Sequence, residues 1–188
     1  MKRMSLIAAL ALTLALGCGG AKGADLENTL IMQLTYGRVV IEMRPDLAPK
    51  HVARIKELVR QGFYDGTPFH RVIEGFMAQG GDPTGTGTGG SGKKLPAEFS
   101  NEKHVRGTVS MARSADPNSA GSQFFICLGT VSQLDHQYTA FGKVIKGLDV
   151  LDKIGATPVS RSASGEISKP QTRVALESVK IVPADSVK

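Results

Sequence analysis

Short runs of β-branched and aromatic residues, broken by glycines and polar turns, recur along most of this chain, whereas helical spacing occurs only twice. From Thr29, TLIMQLTYGRVVIEM reads as two strands around a Tyr36-Gly37 turn, with Val39, Ile41 and Met43 sharing a face. TPFHRVI and FMAQGG are two more, joined by Glu74-Gly75, a Gly-containing two-residue link of the hairpin kind. RGTVSMAR, GSQFFICL, YTAFGKVI and RVALESVKIV supply the rest, the last after a polar loop. One helix is expected in PDLAPKHVARIKELVRQG, with Val52, Ile55, Leu58 and Val59 on one side and the basic residues toward water. Pro49 suits its first turn and Gly62 its C-cap. VIKGLDVLDKI reads as a second, short helix through Val144, Leu148, Leu151 and Ile154. Too few helices alternate with the strands for a parallel βαβ architecture. The expectation is a mainly β fold, an antiparallel sheet closed or nearly closed so that no edge is left exposed.

At 188 residues the chain has the length of one domain with one sizeable core. Its first residues, MKRMSLIAALALTLALGCGG, place a basic start before an apolar stretch from Leu6 to Leu16. That stretch is shorter than the roughly 20 residues a spanning helix needs and has the proportions of a signal peptide. Ala15-Leu16-Gly17-Cys18 resembles the lipobox of bacterial lipoproteins, which implies cleavage after residue 17, lipidation of Cys18 and a membrane anchor in the cell envelope. An ordinary secretory signal cleaved nearby is the other reading. Residues 18–27 then form a small, polar tether, and 28–184 the folded domain. The only other cysteine is Cys127, in the apolar run FFICL, where a buried, inert thiol is expected. With Lys2 and Arg3 removed the charge is 21 basic against 17 acidic residues, with no basic run, so no nucleic-acid partner is indicated.

GTGGSGKK (87–94) nearly matches a phosphate-binding loop, with Gly87, Gly92 and Lys93 in register. Lys94 stands where a hydroxyl should hold Mg²⁺, and Pro96 falls where the required helix would run, at a cost of about 3 kcal/mol. Nucleotide binding is not expected. His51, His70, His104 and His136 share no metal-ligand spacing, so neither a metal nor another cofactor is implied. No G-x-S-x-G elbow is present, although a triad assembled from distant residues stays open.

FHRVIEGFMAQGGD (69–82) and GSQFFICL (121–128) set polar residues among large apolar ones: Arg71 and Gln79 beside Phe76 and Met77, Gln123 beside Phe125. With SMAR, LDHQYTAFGKV and the closing VKIV, in this order and spacing, the chain resembles the cyclophilins, peptidyl-prolyl cis–trans isomerases. The resemblance implies a closed eight-stranded antiparallel β-barrel capped by two helices. It implies Arg71 as the catalytic arginine and Gln79 as the residue that orients it. Phe76, Met77, Phe125 and Leu134 would form the pocket for the proline ring, Gln123 would contact substrate backbone, and Ala112 and Arg113 would form the edge that pairs with the peptide. Tyr138 falls where many members have histidine. Gln133 replaces the tryptophan of animal members that contacts cyclosporin, which implies weak inhibition. Glu74 replaces a frequent proline, and a strict two-residue turn would pair Arg71 with Ala78; a bulge or longer turn is needed to set Arg71 beside Gln79.

The partners implied are Xaa-Pro segments of unfolded or flexible exported proteins, bound by a monomer. Rotation about such a bond faces a barrier of about 18–20 kcal/mol because the amide is conjugated. An arginine that hydrogen-bonds to the prolyl nitrogen once conjugation is lost favours the twisted state over the planar one. A module that binds proline-containing segments, with incidental turnover, is the alternative.

Overall fold

The structure, a computed structural model, describes residues 27–187. The expected leader, Cys18 and all but the last residue of the tether lie outside these residues. In chain order the elements are β1 (Thr29–Leu34), β2 (Gly37–Met43), α1 (Pro49–Arg60), β3 (Arg71–Ile73), β4 (Met77–Gly80), β5 (Thr108–Met111) and β6 (Phe124–Cys127). There follow β7 (Ala140–Lys146), α2 (Leu148–Gly155), β8 (Val159–Arg161), β9 (Ile167–Pro170) and β10 (Leu176–Val182).

Eight strands form one antiparallel sheet in the order β10-β1-β2-β7-β5-β6-β4-β3, while β8 and β9 pair as a separate hairpin. The mainly β fold with two helices is thus as expected, but the ladder is not continuous around a barrel. Its two ends meet through the residues before β3 and the start of β10: Pro68 bridges Ala175, Phe69 N–H donates to the Val174 carbonyl at 2.8 Å, and Leu176 N–H donates to the Thr67 carbonyl at 2.8 Å. Proline has no N–H to give a ladder, which suits Pro68 to such a seam.

Alternation along the strands fills the interior: Leu30, Met32 and Leu34 of β1, Val39, Ile41 and Met43 of β2, Val109 and Met111 of β5, and Phe124 and Ile126 of β6 are all buried. Each such side chain contributes about 1.5–3 kcal/mol on leaving water. Helix α1 adds Val52, Ile55 and Leu58, and α2 adds Val150, Leu151 and Ile154. The N-terminus of α1 has no side-chain cap of its own; Glu98, distant in sequence, accepts from the Lys50 and His51 N–H groups at 3.1 Å. A carboxylate there satisfies free donors and complements the helix dipole.

Several boundaries differ from the sequence reading. The β1–β2 link is Thr35-Tyr36, with Gly37 opening β2. The β3–β4 link is three residues, Glu74-Gly75-Phe76, with Gly75 at φ +69°. Val144 lies on β7 rather than in α2, because Gly147 at φ +90° ends the strand and starts the helix. Arg54 and Lys56 of α1 are buried rather than turned to water. Their stems lie along the core and their heads find partners, Arg54 at Glu57 and Lys56 at Asn28, both at 2.8 Å. The polar loop after α2 contains the β8–β9 hairpin.

Candidate active site

On β3, β4, β5 and β6 the inner-face residues Val72, Ala78, Val109 and Ile126 belong to the main core, so the intervening residues project from the other face. The register sets Arg71 opposite Gln79, Gln79 opposite Phe125, and Phe125 opposite Ser110, one row across four strands. The three-residue β3–β4 link creates this row: a two-residue link would have shifted β3 by one and turned Arg71 away from Gln79. A second apolar cluster lies on the same face, with Met77, Phe125, Cys127 and Val131 buried and Phe76, Ala112, Leu134 and Tyr138 packed against them.

Arg71 is held on three of its nitrogens. Nε and Nη2 donate to the two carboxylate oxygens of Glu166 at 2.6 and 2.8 Å, and Nη1 donates to Gln79 Oε1 at 3.4 Å. Hydrogen bonds from Arg71 hold the Glu166 carboxyl down at about 2, and those same bonds raise the guanidinium further above its usual range. Gln79 Nε2 donates to Gln123 Oε1 at 2.9 Å, and Gln123 Nε2 donates to the Gly87 and Gly89 carbonyls at 2.9 and 2.8 Å. Both polar atoms of the Gln123 side chain thus join Gln79 to the glycine-rich loop.

That loop is built around the carboxylate of Asp82, which accepts from Thr84 N–H and Oγ1, Gly87 N–H and Gly89 N–H at 2.7–3.0 Å. Burial opposes ionisation of Asp82, but the hydrogen bonds from Thr84, Gly89 and Gly87 outweigh it and hold the carboxyl at about 2. No helix follows the near-match to a phosphate loop: residues 91–100 hold a single bridge, Leu95 to Ala120.

Arg71, Phe76, Gln79, Ala112, Arg113, Phe125, Leu134 and Tyr138 line one pocket of about 120 Å³. Eight of the ten residues expected at the site therefore meet around it. Met77 lies beneath, 2% exposed, with its sulfur 3.7 Å from Arg71 Nη1. Gln123 instead lines a neighbouring cleft of about 570 Å³, which shares Gln79, Ala112 and Arg113 with the pocket and runs along Gly87–Lys94. The Arg113 side chain is not idle: it donates to the Gln137, Ser114 and Ala115 carbonyls, and its guanidinium lies 4.6 Å from the centre of the Tyr138 ring. Tyr138 in turn meets Phe125 edge-on, 5.5 Å between centres.

Behind Phe125 a serine, a histidine and an aspartate do come into line. Ser110 Oγ is 2.9 Å from His104 Nε2, and His104 Nδ1 is 3.1 Å from Asp135 Oδ1. Asp135 is held at about 2, chiefly by the His104 N–H, while burial pushes the imidazole below its usual value. A neutral ring with Nδ1–H facing Asp135 leaves Nε2 to accept from Ser110. Ser110 is fully buried and the His104 ring stacks on Phe125 at 6.1 Å, so no acyl group can reach Oγ. This is a structural brace under the pocket wall. Cys127 is also buried, its thiol pushed up to about 12 by burial. Among the described residues no cluster of three or more His, Cys, Asp or Glu is placed to hold a metal.

Glu166 carried no signal in the sequence, because it sits in a stretch with neither alternation nor helical spacing. Asp82 closes the quoted FHRVIEGFMAQGGD, yet only its contacts show what it does.

A small pocket in which Phe76, Phe125 and Leu134 meet a fixed guanidinium, next to a longer cleft, suits a protein that takes an extended peptide by one ring-shaped side chain. The model of the family described as cyclophilin type peptidyl-prolyl cis-trans isomerase/CLD matches residues 29–181. A probable peptidyl-prolyl cis-trans isomerase of Brucella suis biovar 1 is 51% identical over 181 residues, 89% of this chain and 91% of that protein. Human peptidyl-prolyl cis-trans isomerase-like 3 is 47% identical over 137 residues, 70% of this chain and 84% of its own. A cyclophilin type isomerase of Cryptosporidium parvum, solved in the presence of the dipeptide Ala-Pro, superposes with a TM-score of 0.76 at 34% identity, covering 82% of this chain and 98% of that one. The chain belongs to the cyclophilin-type peptidyl-prolyl cis-trans isomerases.

Proposed function

We propose that this isomerase seats the proline of an Xaa-Pro segment in the pocket walled by Phe76, Phe125, Leu134 and Tyr138 and floored by Met77, with Arg71 as the catalytic group. The observation that carries this reading is the guanidinium at the rim, its Cζ 5.9 Å from the centre of the Phe76 ring, fixed by Glu166 and Gln79. Nε and one Nη2 donor go to Glu166 and Nη1 is turned to Gln79 and the Met77 sulfur, so the second Nη2 donor is the one available to the prolyl nitrogen. That nitrogen regains its lone pair only as the amide twists, so the bond forms in the transition state and not in the planar ground state. Gln79 orients Arg71, and Ala112 and Arg113 offer main chain to the substrate on the wall shared by pocket and cleft. Gln123 acts by fixing Gln79 to the loop. The Ala-Pro dipeptide used with the Cryptosporidium relative supports an Xaa-Pro ligand.

A charge-assisted hydrogen bond is worth about 1.5–3 kcal/mol, so Arg71→Ala lowers kcat/KM roughly ten- to hundredfold while the thermal melt stays in place. Exchange NMR on a short Xaa-Pro peptide measures this, and undiminished turnover would refute the assignment.

The substrates are exported proteins, and the enzyme works as a monomer in the bacterial envelope. Residues 1–17 direct export, and Cys18, lipidated, anchors the domain to a membrane. The basic-then-apolar leader and the Ala15-Leu16-Gly17-Cys18 sequence support this reading. Intact mass of the mature protein tests it: a diacylglyceryl or triacyl addition on Cys18 is expected, and an unmodified N-terminus beyond residue 18 would overturn the anchor.

A further inference from the structure

Arg71 and Glu166 are 95 residues apart in sequence, yet they form a two-point ion pair at the rim of the proline pocket. Glu166 is presented by the β8–β9 hairpin, and β9 lies beside β3, the strand that carries Arg71. Its own backbone is fixed, because its carbonyl accepts from Ser162 N–H at 2.8 Å and Gly165 turns the chain at φ +89°.

We propose that Glu166 is a positioning residue for isomerisation, clamping the Arg71 guanidinium so that its remaining Nη2 donor faces the proline pocket. The proposal rests on the reading of Arg71 as the catalytic group.

The geometry favours a clamp over a brake. Glu166 takes the Nε edge of the guanidinium together with one Nη2 donor. Nη1 is turned to Gln79 Oε1 and the Met77 sulfur, which leaves the second Nη2 donor for a ligand. An arginine side chain has many rotamers, and fixing two edges of its plane removes most of that freedom before substrate arrives. The opposing effect is partial neutralisation of the donor's charge. Because the two side chains are 33% and 38% exposed, water screens that field, and orientation wins.

The test compares the full chain with Glu166→Ala, Glu166→Gln, Arg71→Ala and the Arg71→Ala/Glu166→Ala double variant, by exchange NMR at several concentrations of a short Ala-Pro peptide. Glu166→Ala is expected to lower kcat about fivefold with KM changed by less than about twofold. Glu166→Gln, which keeps one acceptor and sets an amide N–H2 against the guanidinium, falls between. In the Arg71→Ala background, Glu166→Ala should change nothing further. Raising salt from about 0.05 to 0.5 M should bring wild-type kcat toward that of Glu166→Ala and leave the variant flat. An unchanged kcat would make the pair a mere staple for the hairpin, and a raised kcat would make it a brake; either overturns the proposal. So does an equal loss in the Arg71→Ala background. Full activity of Arg71→Ala alone is a distinct result, which removes the catalytic reading beneath the proposal.

Discussion

Asp82→Asn isolates the anchor of the glycine-rich loop. The wild-type carboxylate is fully buried and accepts from two glycine N–H groups, one threonine N–H and one hydroxyl. Asparagine keeps one acceptor oxygen and turns an N–H2 toward those donors. The folded-state value of about 2, against an ordinary 3.8, gives the magnitude, since each unit is worth about 1.4 kcal/mol: on the order of 2–3 kcal/mol of stability at neutral pH. Because the folded value is depressed, that stability is present above about pH 4 and is lost as pH falls toward 2. Urea denaturation at pH 7 should show a midpoint lower by about 1 M at constant slope, and the melting temperature should fall by about 5–10 °C. Repeated between pH 7 and pH 2, the gap between wild type and variant should close on the acid side. Activity should fall several-fold as well, because the Gly87 and Gly89 carbonyls that hold Gln123 are part of the same loop. A variant within about 0.5 kcal/mol of wild type at pH 7, or a gap that persists at pH 2, would refute the account of Asp82 as the loop's anchor.

Ser110→Ala leaves His104 Nε2 buried without a partner and should cost about 1–3 kcal/mol in chemical denaturation, while a fluorophosphonate probe should label neither wild type nor variant. Labelling of Ser110 would contradict its enclosure. Gln133 is exposed on the short turn Ser132–Leu134, beside the pocket wall at Leu134, so cyclosporin should inhibit weakly and Gln133→Trp should tighten inhibition. Nanomolar inhibition of the wild type would refute this.

All eight strands of the main sheet were legible as short β-type runs between turn residues, some alternating, as in Leu30, Met32 and Leu34, others continuously apolar, as in Phe124–Cys127. Register was not legible. Whether Phe76 belongs to the turn or the strand decides which residue faces Arg71, and Glu74-Gly75 alone favours the wrong answer. The buried Arg54 and Lys56 were misplaced because helical spacing marks a face without saying how far the neighbouring chain climbs over its rim. Resemblance to the family located most residues around the pocket. The β8–β9 hairpin escaped for the opposite reason to β1: Val159–Arg161 and Ile167–Pro170 bury little, so no apolar period marks them, and Glu166 went with them. The Asp82 network was equally silent, being a matter of backbone N–H groups converging on one carboxylate.

The pairing of β1 with β10, Thr29 opposite Val182, has a consequence for how the molecule comes into being. A chain emerging N-terminus first presents Leu30, Met32 and Leu34 long before their second neighbour strand exists. Until Leu176–Val182 arrives, one side of β1 is an unpaired template with an apolar face, open to the wrong strand. Such distant pairing also slows closure of the sheet. A chain cut short before β10 should therefore aggregate instead of settling into a smaller sheet, and the isomerase would itself be a protein that benefits from protection during its own synthesis.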